Sequence, residues 1–98
     1  MTIKEVFSAL ENATHPVARA LHKGSDFKVM VIGFKKGMIL KEHLTKTTTK
    51  LTILSGNVIY REGGKQVRLA QYEEVNIPVD QLHSVEALTD SLCLLTQG

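Results

Sequence analysis

Two histidines and a run of threonines are the residues of this 98-residue chain whose types and spacing could do chemistry. His43 begins the segment HLTKTTTKLTI, and His83 ends the segment PVDQLH, which begins at Pro78. An imidazole titrates near neutral pH and binds transition metals such as Zn, Cu, Fe and Ni. Threonine hydroxyls lie outside the usual set of metal ligands but form hydrogen bonds with polar molecules. The residue types therefore predict a polar site for a small molecule or a metal ion.

The segment after His43 has the pattern of an extended strand, in which successive side chains point to opposite faces. The even positions include Lys46 and Lys50 and are typical of the outer face of a half-buried sheet. Glu42 has the opposite parity from His43 and would add a carboxylate to the site only if a bulge intervened. The odd positions are expected to line a cavity, with hydroxyl groups at one end and aliphatic groups at the other: His43, Thr45, Thr47, Thr49, Leu51 and Ile53.

The spacing from Gly37 through His43 to Gly56 resembles the first motif of the cupin superfamily, usually written G-x5-H-x-H-x3–4-E-x6-G. Thr45 stands where that motif has its second His, and Thr49 stands where it has its Glu. The resemblance covers about residues 17 to 96. It implies an all-β fold, a small jelly-roll (cupin) barrel with one short N-terminal helix.

The segment PVDQLH resembles the P-x-G-x2-H core of the second cupin motif and supplies His83 at the histidine position. Tyr72 replaces the leading Gly of this motif, Asp80 the middle Gly and Ala87 the closing Asn. The resemblance implies that His43 and His83 meet inside the barrel as two of the four usual metal ligands.

Catalytic metal sites commonly use about three protein ligands, and the other two motif positions here carry neutral hydroxyls. We therefore expect either no cofactor or a divalent transition metal held weakly by His43 and His83. The expected partner is a small polar ligand. The residues predicted to bind it are His43, Thr45, Thr47, Thr49 and His83.

Three functions remain open, and the sequence does not decide whether the chain is an enzyme. The first is a cupin-fold protein that binds a small polar molecule in the barrel without a full metal site. The second is a metal-dependent cupin enzyme of the oxygenase or isomerase type with a reduced two-histidine site. The third is a dimeric scaffold or interaction protein, for which substitutions in the pocket would be silent. Independently of these functions, the threonines could reflect strand propensity alone.

A homodimer is expected under all three functions. Cupins often dimerise, and outward Leu44 and Leu54, together with the short helix, would offer apolar surface to a partner subunit.

The N-terminal segment TIKEVFSALEN predicts a helix over about residues 3–11. Thr2 and Glu5 have the spacing of a capping box. The apolar positions fall on one helical face, which we expect to pack on the outside or mouth of the sheet or on a partner: Ile3, Val6, Phe7 and Leu10.

The rest of the chain predicts short strands separated by turns. We expect strands over about residues 17–21, 27–34 and 72–77, and a hairpin whose turn includes Gly63 and Gly64. Residues 83–88 and 92–96 are expected to form a last hairpin.

Length and composition exclude several classes of protein. The 98 residues predict a single domain over residues 1–98, and a net charge of +2 with scattered Lys and Arg does not indicate nucleic-acid binding. Cys93 is the only cysteine, which excludes an intrachain disulfide, and we interpret it as a small buried hydrophobic residue. No charged leader or long apolar run is evident, so we expect a cytoplasmic protein that does not bind membranes.

Overall fold

The computed structural model describes all 98 residues, which form one short helix and nine strands. The helix is α1 (Thr2–Leu10). The strands are β1 (Val17–Lys23), β2 (Lys28–Phe34), β3 (Ile39–His43), β4 (Thr49–Ser55), β5 (Val58–Glu62), β6 (Lys65–Leu69), β7 (Glu74–Ile77), β8 (His83–Ala87) and β9 (Ser91–Gln97).

The strands form two antiparallel sheets. Sheet A has the order β1-β2-β9-β4-β7, and sheet B has the order β3-β8-β5-β6. Burial alternates along the strands, as in β8, where His83, Val85 and Ala87 are buried and the residues between them are not. The inward faces form one apolar core, and the all-β class with a short N-terminal helix is as predicted. The buried core residues are Ile32, Phe34, Leu51, Ile53, Val58, Tyr60, Leu69, Ile77, Val85, Ala87 and Cys93.

Helix α1 packs on the outer face of sheet A. Val6 and Leu10 are buried against Val17, Val31 and Leu92, in agreement with the predicted apolar face. The predicted capping box is wrong, because Thr2 already lies inside the helix and no side chain caps its first turn. This nine-residue helix falls short of the length and hydropathy that a membrane-spanning helix requires.

The strand predicted to run on from His43 is in fact two strands in different sheets. β3 ends at His43 in sheet B, residues 44–48 cross to the other layer, and β4 begins at Thr49 in sheet A. The hairpin around Gly63 and Gly64 is confirmed, with Glu62 opposite Lys65. The predicted last hairpin is wrong, because β8 pairs with β3 and β5 whereas β9 pairs with β2 and β4. A short polar turn is compatible with either path, so the local sequence does not specify the sheet.

Gly56 lies between β4 in sheet A and β5 in sheet B. Its φ of 90° lies in a region that side-chain-bearing residues rarely adopt. A Cβ atom at this position would overlap Ser91 Oγ and the carbonyl oxygen of Asp90. Gly37 has a similar φ of 87°, but a Cβ atom there would meet no atom within 4 Å.

We predict that Gly56→Ala destabilises the fold more than Gly37→Ala does. Both substitutions should cost about 1–3 kcal/mol of backbone strain. Gly56→Ala should lose about 1–3 kcal/mol more, because the backbone of Asp90 must move. Urea unfolding of the two variants measures the difference in the free energy of unfolding. Equal losses would contradict the close approach of this corner to Asp90.

Candidate functional site

Four titratable residues form a row across sheet B. His43 on β3 lies opposite His83 on β8, His83 lies opposite Glu62 on β5, and Glu62 lies opposite Lys65 on β6. Directly opposite residues in an antiparallel sheet share a face, with Cβ atoms about 4.5–5.5 Å apart. His83 is only 2% exposed, so this face is the inner one. We call this part of the barrel interior the polar end, defined by His43, Thr45, Thr49, Glu62 and His83.

A bulge in β3 brings His43 into this row. The register passes from Leu40 opposite Val85 to His43 opposite His83, so β3 carries one more residue than β8 over this interval. Glu42 stays exposed on the outside of sheet B, where it lines a surface cleft of about 430 Å³ with Arg61 and others. A bulge is therefore present, but it does not bring Glu42 into the barrel.

The two imidazoles lie side by side with defined tautomers. Their ring centroids are 4.1 Å apart. His43 Nδ1 lies 2.8 Å from the carbonyl oxygen of Lys41, and His83 Nδ1 lies 3.1 Å from that of Gln81. Because a carbonyl only accepts, each Nδ1 must donate its hydrogen, and each neutral ring presents an Nε2 lone pair. No protein group forms a hydrogen bond with either Nε2, so two adjacent acceptors are free to bind a ligand.

Burial keeps His83 neutral. Desolvation is the main cause that lowers the pKa of His83, and the neighbouring His43 lowers it further. The hydrogen bond to the Gln81 carbonyl and the charge of Glu62 oppose this shift in part. Near neutral pH His83 therefore offers a lone pair at Nε2 and not a positive charge.

The three threonines do not form a common ligand-binding surface. The hydroxyls of Thr45 and Thr49 are buried and lie 3.0 Å apart, and the carbonyl oxygen of Thr47 is within hydrogen-bonding distance of both, at 3.1 and 2.9 Å. Each hydroxyl has one hydrogen to donate, so the two hydrogens are shared among these acceptors. Gln97 Nε2 donates to Thr45 Oγ1 at 3.3 Å. These bonds hold the loop between β3 and β4 and leave little capacity for a ligand. Thr47 itself is exposed and lines a different surface cleft, because the chain leaves β3 after His43.

Tyr60 carries a buried hydroxyl without a hydrogen-bond partner. The residue is 1% exposed, and its ring centroid lies 6.1 Å from that of His83. Its Oη is the buried side-chain polar atom that no protein group satisfies. The carboxylate of Glu62 lies near enough to this hydroxyl to interact with it, but the pair does not meet the geometric criteria of a hydrogen bond. Burial and, to a lesser extent, Glu62 raise the pKa of Tyr60 to about 12, so the hydroxyl keeps its proton.

A cleft of about 220 Å³ opens beside Tyr60, where the edge strands β6 of sheet B and β7 of sheet A meet. We call it the seam cleft. Neither His43 nor His83 lines the seam cleft. The two histidines are also absent from the surface clefts beside Glu42 and Thr47, so they do not border a large cavity. The lining residues of the seam cleft are Tyr60, Glu62, Lys65, Gln66, Val67 and Val75.

The residues present do not assemble a full metal site. No three His, Cys, Asp or Glu side chains are arranged to hold a metal ion. The two free Nε2 atoms could serve as ligands, but the hydroxyls of Thr45 and Thr49 are engaged with each other. Cys93 is fully buried, which raises the pKa of its thiol to about 12 and makes it a poor ligand or nucleophile.

The sequence analysis singled out neither Glu62 nor Tyr60. The signal was present in VIYRE, where Val58, Tyr60 and Glu62 alternate on one face. Combined with the correct hairpin at Gly63 and Gly64, this parity would have placed Glu62 on the inner face.

Two loops keep backbone conformations that favour glycine. Tyr72 has a φ of 69° and Asp80 a φ of 61°, and they are the non-glycine residues with positive φ. At both positions the second cupin motif has a glycine. The backbone therefore follows the motif although the side chains differ.

Comparison with solved structures shows the fold. A RmlC-like cupin protein from Desulfovibrio desulfuricans has a TM-score of 0.79 at 23% identity, over 86% of this chain and 82% of that one. A cupin superfamily protein from Desulfitobacterium hafniense has a TM-score of 0.80 at 16% identity, over 94% and 86% of the two chains. A protein from Thermus thermophilus has a TM-score of 0.81 at 20% identity, over 100% and 94%. No family model matches the sequence, and the search of curated proteins found no match.

We predict that Tyr60→Phe stabilises the free protein. An unsatisfied buried polar group costs about 1–3 kcal/mol, so its removal without a change of shape should raise the free energy of unfolding by about 1 kcal/mol. The melting temperature should rise by about 4–8 °C. Tyr72→Phe is the matched control and should change little, because Tyr72 is 76% exposed. A lower melting temperature for Tyr60→Phe would mean that the hydroxyl has a stabilising partner.

We also predict that Tyr72→Gly does not destabilise the fold. Relief of the positive φ should gain about 1–2 kcal/mol, against about 0.5–1 kcal/mol for the added flexibility of the unfolded chain. Val79→Gly is the control, since Val79 is also exposed but has no positive φ, and it should lose about 1 kcal/mol. Urea unfolding distinguishes the two, and equal losses would count against strain at Tyr72.

Proposed function

We propose that this chain, which has the fold of the cupin proteins, binds a small polar molecule at the polar end of its barrel without a full metal site. The observation that carries the proposal is the pair of hydrogen bonds from His43 Nδ1 and His83 Nδ1 to backbone carbonyls. These bonds leave two adjacent Nε2 acceptors. The bound molecule should therefore donate hydrogen bonds, as the hydroxyl groups of a polyol do.

Other groups at the polar end support the same kind of ligand. The carboxylate of Glu62 can accept hydrogen bonds, and the buried hydroxyl of Tyr60 has no partner in the protein. A buried polar group without a partner, such as the Tyr60 hydroxyl, is uncommon in folded proteins and calls for an explanation. A ligand that satisfies several of the polar groups here at once would gain affinity from each.

A second candidate function is weak binding of a divalent transition metal by His43 and His83, as in a reduced cupin enzyme. The favouring observation is the same Nδ1 bonding, because histidines that bind metals usually donate their other ring hydrogen to a carbonyl or carboxylate. A bound metal would supply Lewis-acid chemistry. With two protein ligands in reach, retention of the metal would be weak.

A third candidate, the dimeric scaffold, loses part of its basis. Leu54 was expected to offer apolar surface to a partner, but it packs against the cluster under helix α1. Leu44 and Phe7 remain exposed, at 47% and 52%. The homodimer stays a prediction that sedimentation of the purified protein would test.

The first two functions are separated by ligand binding in the presence and absence of metal. Untagged protein is analysed for Mn, Fe, Co, Ni, Cu and Zn, and then screened by thermal shift against polyols, sugars and hydroxy acids in EDTA. The variant is His43→Ala, since His43 is half-buried and its loss should not collapse the core. The control is His15→Ala, at an exposed histidine outside the polar end.

We expect a polyol or sugar to raise the melting temperature of the wild type and of His15→Ala in EDTA. His43→Ala should weaken binding about fivefold to tenfold, since one hydrogen bond contributes about 1 kcal/mol. A shift that appears only with added metal would favour the second function. A screen in which no compound acts through His43 would refute the proposed one.

A further inference from the structure

Glu62 differs from Glu86, the other half-buried acidic residue, in its charged partners. Glu86 and Glu62 are the two half-buried acidic residues of the chain. Glu86 pairs with Arg61 at 2.9 Å on the outer face. Glu62 on the inner face takes part in none of the four ion pairs. A half-buried carboxylate that lines a cleft accepts hydrogen bonds and attracts a positively charged ligand.

Tyr60 is the second group in the seam cleft without a partner. It precedes Glu62 by two residues on β5, so both side chains point into the barrel. The hydroxyl is buried and forms no hydrogen bond with protein. A tyrosine hydroxyl both donates and accepts, and a ligand that carries hydroxyl groups could satisfy it.

The remaining walls limit the size and shape of the occupant. Val67 and Val75 give the cleft an apolar side that suits a short carbon chain. The volume of about 220 Å³ corresponds to roughly seven water molecules at about 30 Å³ each. Lys65 also lines the cleft, but it is exposed and makes no ion pair with Glu62. The space therefore fits a compact molecule of a few carbon atoms.

We infer that the seam cleft binds the ammonium group of a small hydroxylated amine, with Glu62 as the acceptor for its N–H groups and Tyr60 as a partner for a hydroxyl. This inference rests on the proposed function and names the ligand class for it. An ammonium brings up to three donors and a positive charge to a cleft whose carboxylate, that of Glu62, is an acceptor. A neutral polyol would bring the donors without the charge, and a carboxylate would be repelled.

The test uses three probes of similar size: 2-amino-1,3-propanediol, glycerol and glycerate. Each is titrated at pH 7 and constant ionic strength into ¹⁵N-labelled protein, and amide shifts in β5 and β6 report binding. We expect the amine to bind at least fivefold more tightly than glycerol, and glycerate to bind most weakly. Glu62→Gln should abolish the preference for the amine. Glu42→Gln, an exposed carboxylate outside the barrel, should keep it.

Two further variants keep the test informative if Glu62→Gln folds poorly. Lys65→Gln removes the like charge from the cleft and should tighten the amine but not glycerol. Tyr60→Phe should weaken the amine and glycerol alike while the protein stays folded.

Equal binding of amine and glycerol, with shifts that depend on His43, would overturn the inference and leave the proposed function standing. Amine binding that survives Glu62→Gln unchanged would also overturn it, as would an absence of shifts in β5 and β6 with all three probes. The proposed function is judged separately by the wider screen in EDTA.

Discussion

The pairing of β8 with both β3 and β5 is the constraint on which the polar end depends. β8 contributes three inward residues, His83, Val85 and Ala87, and all three are buried. A slip of one residue would turn this whole set towards solvent, so the apolar pair below His83 fixes the register. The same register sets His43 and Glu62 on either side of His83. The core thus positions the imidazoles, and the bulge in β3 is the local adjustment that lets His43 take part.

Hydrogen bonds of Thr45 and Thr49 hold the loop between β3 and β4 at the polar end. The resemblance matches Thr45 and Thr49 to two of the metal ligands of the cupin motif. Here the loop is held by the two hydroxyls, the carbonyl of Thr47 and the amide of Gln97 on β9. Each such bond contributes about 0.5–1.5 kcal/mol. The network can therefore hold the loop in place without a bound metal ion.

The sequence predicted the barrel because two spaced motifs agreed, and the strand pattern around Gly63 and Gly64 supported it. Parity placed Thr45 and Thr49 correctly among the buried residues but failed for Thr47, since the chain leaves the strand after His43. The alternation of inward and outward side chains holds only within a continuous strand, and no local signal in the sequence marked the end of β3 at His43. The choice between sheets, which the last predicted hairpin got wrong, depends on contacts between residues far apart in the chain.

The two ends of the barrel interior differ in how completely their polar groups are satisfied. Around Ile53, Val58 and Cys93 the core is apolar and needs no partners. At the polar end Tyr60 Oη, both Nε2 atoms and the carboxylate of Glu62 lack protein partners. Stability alone would favour phenylalanine at Tyr60, because this change removes a buried polar group without a partner. Folded proteins depart from such local optima mainly at functional sites, where a ligand supplies the missing interactions. This physical imbalance, more than the motif, is the basis for proposing a binding site at the polar end and its neighbouring cleft.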